Sequence, residues 1–182
     1  MRFTPTPLAD AVIVDIEPHA DDRGFFARVF CCDELAVAGL DADVAQCSIS
    51  FNKARGTLRG MHWQNAPQEE AKLVRCTAGA IFDAIVDIRR GSPTYGRWHG
   101  ETLTARNHRA LFVPKGFAHG FITLEPDSEL LYQISIPYSP GYGHGFRWND
   151  PAVGIAWPLK PAVISERDAT YPLLADVQRL MQ

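Results

Sequence analysis

No apolar run in this sequence approaches the roughly 20 residues a membrane-spanning helix needs, and the opening MRFTPTPLADAVIVDI lacks the sustained apolar core of a secretory leader. A membrane partner is not expected, and the expected compartment is the cytoplasm. Positive charge is not in surplus either. Lys and Arg number 18 against 21 Asp and Glu, a formal net charge of -3. That balance excludes a general attraction for nucleic acid or anionic lipid, so each arginine must be judged at its own position. CxxC spacing is absent: the cysteines stand at 31, 32, 47 and 76 and read as reduced, mostly buried thiols rather than a zinc site or a disulfide framework. Repeats, linkers and low-complexity blocks are missing, and 182 residues are too few for two comfortable domains, so one domain over 1–182 is expected. Helical signal is scarce, confined to DELAVAGL (33–40), closed by Gly39, and to 172–182.

Short β-rich segments fill the space these absences leave. AVIVDI (11–16), FFARVF (25–30), VAQCSISF (44–51), AKLVRCT (71–77), AIFDAIVDI (80–88), ALFVP (110–114), HGFITL (119–124) and ELLYQIS (129–135) follow one another, several separated by turn clusters such as ADDRG and EPDS. This is the rhythm of an all-β sandwich or barrel. Residues 44–52 alternate best, with Gln46, Ser48, Ser50 and Asn52 on one face and Cys47, Ile49 and Phe51 on the other. The polar row either meets water or lines a polar ligand cavity, and alternation leaves both open.

AKLVRCT and AIFDAIVDI, joined by Ala78-Gly79, predict an antiparallel hairpin with a two-residue turn. Thr77 then pairs with Ala80 and Val74 with Asp83, while Lys72 lies diagonal to Asp83 on one face. The pair is either a rim salt bridge or a charge pair inside a cavity. GTLRGMHWQ (56–64) places Arg59 and His62 in a strand-like run broken by Gly56 and Gly60.

Taken in order and spacing, RGMHWQ, AKLVRCTAGAIFDAIVDIRRGSPTYGRW, VPKGFAHGF, RWNDP and ISERD resemble the dTDP-4-dehydrorhamnose 3,5-epimerase family from about residue 10 to 175. The resemblance implies a cupin-type jelly roll with short flanking helices, a homodimer, and no metal or organic cofactor. PKGFAHG also fits the cupin motif PxGxxH. A metal-dependent cupin needs several converging ligands, whereas GMHW supplies only His62 where such proteins carry an HxH pair, leaving His119 as a distant second imidazole.

The family reaction inverts carbons beside the ketone of a nucleotide-linked 4-keto-6-deoxy sugar, which requires a base, enolate stabilisation and an acid on the opposite face. By resemblance His62 is the base, Asp168 its orienting carboxylate, Tyr132 the acid, and Lys72, held by Asp83, the cation near the enolate oxygen. Arg59 and Arg167 match residues that pair with the diphosphate, and His119 matches a residue of the sugar cavity. Gln46, Ser50 and Tyr138, with Arg23 and Phe26 from the neighbouring subunit, match the nucleotide site. Arg28 and Ser48 stand where the family commonly has Glu and Asn, which puts thymine preference in question. A single-centre epimerase on another nucleotide sugar and a non-catalytic sugar-binding cupin remain the alternatives. If Arg59 and His62 serve one cavity, strand alternation must break between them, and Gly60 is the natural place for a bulge.

Overall fold

Apolar residues at every second position build two antiparallel sheets that share one interior. The computed structural model describes residues 1–180. In chain order its elements are β1 (Arg2–Pro5), β2 (Val12–Asp15), β3 (His19–Asp21), β4 (Gly24–Phe26), α1 (Cys32–Val37), β5 (Gln46–Asn52), β6 (Thr57–Gln64), β7 (Lys72–Ala78) and β8 (Ala80–Asp87). They continue with β9 (Trp98–Thr104), β10 (Ala110–Val113), β11 (Phe117–Thr123), β12 (Ser128–Ile134), β13 (Gly143–Gly145), β14 (Val163–Ile164), α2 (Glu166–Thr170) and α3 (Leu174–Leu180). The first sheet runs β1-β2-β10-β7-β12-β5 and the second β13-β6-β11-β8-β9, with β14 added in parallel to β6; β3 and β4 form a separate ribbon.

The inner faces meet in one core. Val74, Cys76, Leu111, Val113 and Leu130 from the first sheet pack against Ile81, Ile85, Leu103, Phe117 and Phe121 from the second. Each fully buried aliphatic side chain contributes about 1.5–3 kcal/mol relative to exposure. Leu174 and Val177, one turn apart on α3, cover the outer face of the second sheet together with Phe146 and Val153. α1 closes as expected: Gly39 takes φ +74, and the N–H groups of Gly39 and Leu40 donate back to Ala36 and Leu35. The C-terminal helix starts at Leu174, and residues 181–182 of the expected helix lie outside the described residues. The architecture is the all-β cupin-type jelly roll.

Three expectations require correction. β7 and β8 do not form a hairpin: β7 pairs with β10 and β12 in the first sheet, β8 with β9 and β11 in the second. Ala78-Gly79 is a crossing between sheets, and Gly79 is needed because a Cβ there would lie 2.5 Å from the Ser128 hydroxyl. The thiols are not mostly buried. Cys76 is buried and Cys31 half-buried, but Cys32 opens α1 and Cys47 sits on an edge strand, both exposed. Third, FFARVF is strand only as far as Phe26. Strands β1, β3, β9, β13 and β14 and the helix α2 carry too few alternating positions to stand out in the sequence.

Of the two faces left open for β5, the polar one turns inward. Gln46, Ser48 and Ser50 line a cavity and Asn52 is 2% exposed, while Phe51 is 49% exposed on the outside; Ile49, 64% exposed, also borders the cavity.

Candidate active site

The bulge in β6 organises the site. β6 pairs with β11 so that His62 stands opposite His119 and Arg59 opposite Phe121, three residues of one strand spanning two of the other. Gly60 takes φ +132, and a Cβ there would lie 2.5 Å from the Gly120 Cα, so only glycine fits this crossing of strands. The extra residue reverses alternation, and Arg59 and His62 both line a cavity of about 490 Å³. That volume suits a small organic ligand.

Asp168 reaches the same bulge from α2. Its Oδ1 lies 2.7 Å from His62 Nε2, and its Oδ2 accepts the Gly60 N–H at 3.2 Å. The Ser165 hydroxyl caps α2 by accepting the Asp168 N–H. Burial alone would raise the Asp168 carboxyl, but the bonds from His62, Gly60 and Ser165, with the His62 charge, hold it below its ordinary value. An ionised Asp168 keeps the proton on Nε2 and leaves Nδ1 as the nitrogen free to accept one.

The opposite wall comes from the first sheet. Tyr132 on β12 lines the cavity, and its ring meets His119 edge to face at 5.8 Å. Burial pushes its phenol well above the ordinary value, with the Asp83 charge adding and Arg59 opposing. The hydroxyl therefore stays protonated. His119 Nε2 is 2.7 Å from Asp83 Oδ1, and Asp83, fully buried between the core residues Ile81 and Ile85, sits behind His119 rather than at the cavity surface. Lys72 lines the cavity but pairs with Glu70 at 2.8 Å, not with Asp83. The expected Lys72–Asp83 pair fails because their strands belong to different sheets.

The remaining predicted residues divide into two groups. Gln46, Ser48, Ser50, Arg167 and Tyr138 line the cavity with those above. Gln46 Oε1 accepts the Tyr138 N–H at 2.9 Å, Arg59 Nε donates to Asn52 Oδ1 at 2.9 Å, and the Arg167 guanidinium stacks 5.4 Å from the Tyr171 ring centroid. Arg23, Phe26 and Arg28 do not line it. Arg23 pairs with Asp21, Arg28 with Glu34, and Phe26 is 79% exposed.

Sequence reasoning missed Glu70, Gln64, Ser165 and His144, all at the cavity. Gln64 shares the strand face of His62, and Ser165 has the N-cap signature before ERD, so those two had a readable signal. Among the described residues no group of three or more His, Cys, Asp or Glu side chains is placed to hold a metal ion.

The His62 imidazole on one sheet, backed by the Asp168 carboxylate from α2, shares the cavity with the Tyr132 phenol on the other sheet, with three cationic side chains around them. Residues 5–176 match the model of the family described as dTDP-4-dehydrorhamnose 3,5-epimerase. The chain belongs to this family. It is 41% identical to the dTDP-4-dehydrorhamnose 3,5-epimerase of Salmonella typhimurium, over 96% of each chain. It is 39% identical, with a TM-score of 0.91 and coverage of 95% and 99%, to the crystal structure of the Bacillus anthracis dTDP-4-dehydrorhamnose 3,5-epimerase with TDP and PPi bound. A 3'-monoepimerase from Streptomyces bikiniensis in complex with dTDP-quinovose is 34% identical with a TM-score of 0.89, over 97% and 90% of the two chains. The chain's neighbours thus include epimerases described as acting at two centres and at one.

Proposed function

We propose that this epimerase-family chain converts a nucleotide-diphosphate 4-keto-6-deoxyhexose into its epimer, most simply dTDP-4-dehydro-6-deoxy-D-glucose into dTDP-4-dehydro-L-rhamnose. The observation that carries this reading is the placement of the His62–Asp168 dyad and Tyr132 on opposite sheets around one cavity. His62 Nδ1 removes the proton from the carbon beside the ketone, and the C–H electron pair passes to the carbonyl oxygen as an enolate. Asp168 stabilises the imidazolium, and the Lys72 ammonium faces the oxyanion. The enolate collapses, the carbon takes the Tyr132 hydroxyl proton on its other face, and solvent returns a proton to the phenolate and takes one from His62. Arg59 and Arg167 pair with the diphosphate, which is held without any cofactor, while His119 and Asp83 shape the sugar end.

Gln46, Ser48, Ser50 and Tyr138 form one side of the nucleoside site. Its other side is Arg23 and Phe26 of the partner subunit in a homodimer, with Arg28 at the same nucleotide end. The exposure of Phe26 and Phe51 supports that assembly. The 182 residues act as one domain in the cytoplasm, with no nucleic-acid or membrane partner. Among the described residues no helix is long and apolar enough to cross a membrane, and the cysteines are unpaired.

Incubation with dTDP-4-keto-6-deoxyglucose in heavy water should place deuterium at carbons 3 and 5. Label at neither carbon would overturn the reading. Label at one alone would establish the single-centre alternative, which the likeness to the Streptomyces 3'-monoepimerase keeps specific.

A further inference from the structure

Glu70 lines the cavity, yet the proton-transfer scheme gives it no task. Its side chain is 12% exposed and that of Lys72 10%, so both charges sit largely out of water. Glu70 Oε1 holds Lys72 Nζ at 2.8 Å, and Oε2 accepts from Gln64 Nε2 at 3.2 Å. Gln64 is 3% exposed and lies two residues beyond His62, on the same face of β6. Its own position is fixed, because Gln64 Oε1 accepts the Ser139 N–H at 2.7 Å.

These bonds cross the sandwich. His62 and Gln64 stand on β6 of the second sheet and Lys72 on β7 of the first, and no ladder joins those strands. The path Gln64, Glu70, Lys72 is therefore a polar tie between the wall that carries the base and the wall that carries the cation. Asp83 does not supply that tie: its Oδ1 is bound to His119 and its buried Oδ2 has no hydrogen-bond partner. An ammonium has three N–H donors, so one bond to Glu70 leaves two for a substrate oxygen.

We propose that Glu70 is a positioning residue for the epimerisation: it fixes the Lys72 ammonium where the enolate oxygen develops, at a set distance from His62. This rests on the epimerase reading above. Because the oxyanion exists only after proton removal, misplacing the cation should slow turnover more than it weakens substrate binding.

The test is a double-mutant cycle on the full chain, read as the rate of deuterium uptake beside the ketone. Glu70→Ala should lower kcat roughly 10- to 100-fold with KM changed by less than about 3-fold. Glu70→Gln, which keeps the shape and one acceptor oxygen, should recover part of the loss. In a Lys72→Ala background Glu70→Ala should cost less than about 2-fold more, because residues acting through one another are not additive. A generic structural role predicts the same loss in both backgrounds, and that result, or an unchanged kcat in Glu70→Ala, would overturn the proposal. If Glu70→Ala does not melt cooperatively, the same cycle with the near-isosteric Glu70→Gln decides. Wild-type protein that exchanges no hydrogen would sink the epimerase reading as well, whereas an active wild type with additive Glu70 losses sinks only this one.

Discussion

Asp168 commits both carboxylate oxygens to β6, one to the His62 ring and one to the Gly60 N–H, so it fixes the imidazole and the bulge that aims it. Replacing it by Asn leaves the shape but removes the charge that stabilises the imidazolium and selects its tautomer. Asp168→Asn should lower kcat by about 10²–10⁴-fold with little change in KM, measured by steady-state kinetics. The pH dependence has a definite sign. The carboxyl is held below its ordinary value of 3.8, so the stability it lends is complete above that pH and is lost as pH falls through the lower folded value. An acid limb of activity set by Asp168 therefore lies below pH 3.8. His62, Asp168 and Tyr132 were legible because short motifs carry them. Glu70 was not, since nothing in QEEAKLV distinguishes a cavity carboxylate from a solvated one: its partner Lys72 is local, but the cavity beside that pair and the Gln64 amide on its other oxygen come from the fold.

At the scale of elements, Gly60 and Gly79 teach opposite lessons. Both interrupt strand-like runs. Between Arg59 and His62 the spacing of two residues meant for one cavity points to a break in alternation, and the register shift opposite His119 and Phe121 supplies it. At Gly79 the same kind of local reading leads to a hairpin, because Ala78-Gly79 suits a tight turn equally well as a crossing between sheets; the contact that demands glycine comes from Ser128, 49 positions away by residue number. β5 has the same limit. Its alternation fixes which residues share a face, but which face is inner depends on the cavity opposite. Gly60→Ala puts a side chain at φ +132 and against the Gly120 Cα. It should destabilise the protein by about 2 kcal/mol or more, read as a lower denaturant midpoint, and should lower activity even in the folded fraction because His62 loses its aim.

For the whole molecule the question is whether one chain makes a complete site. The cavity walls carry His62 with Asp168, Tyr132, Lys72, Arg59 and Arg167, while Arg23, Phe26 and Arg28, on the β3–β4 ribbon and the segment after it, do not line the cavity of their own chain. Exposed Phe26, at 79%, has no packing role within the chain that would explain an aromatic there. A dimer that lends this arm to the neighbouring cavity would account for it, and subunit mixing separates that arrangement from a self-contained monomer. His62→Ala removes the base from both sites of a dimer, and Arg23→Ala weakens nucleotide binding at both. In a mixed dimer one site combines the intact His62 of one chain with the intact Arg23 of the other, and its companion site carries both defects. Co-expressed, differently tagged chains should therefore yield mixed dimers with about half the wild-type rate per dimer at low substrate, well above either parent. Activity no higher than the average of the two parents would mean that each chain builds its site alone, and the exposed arm would then need another partner.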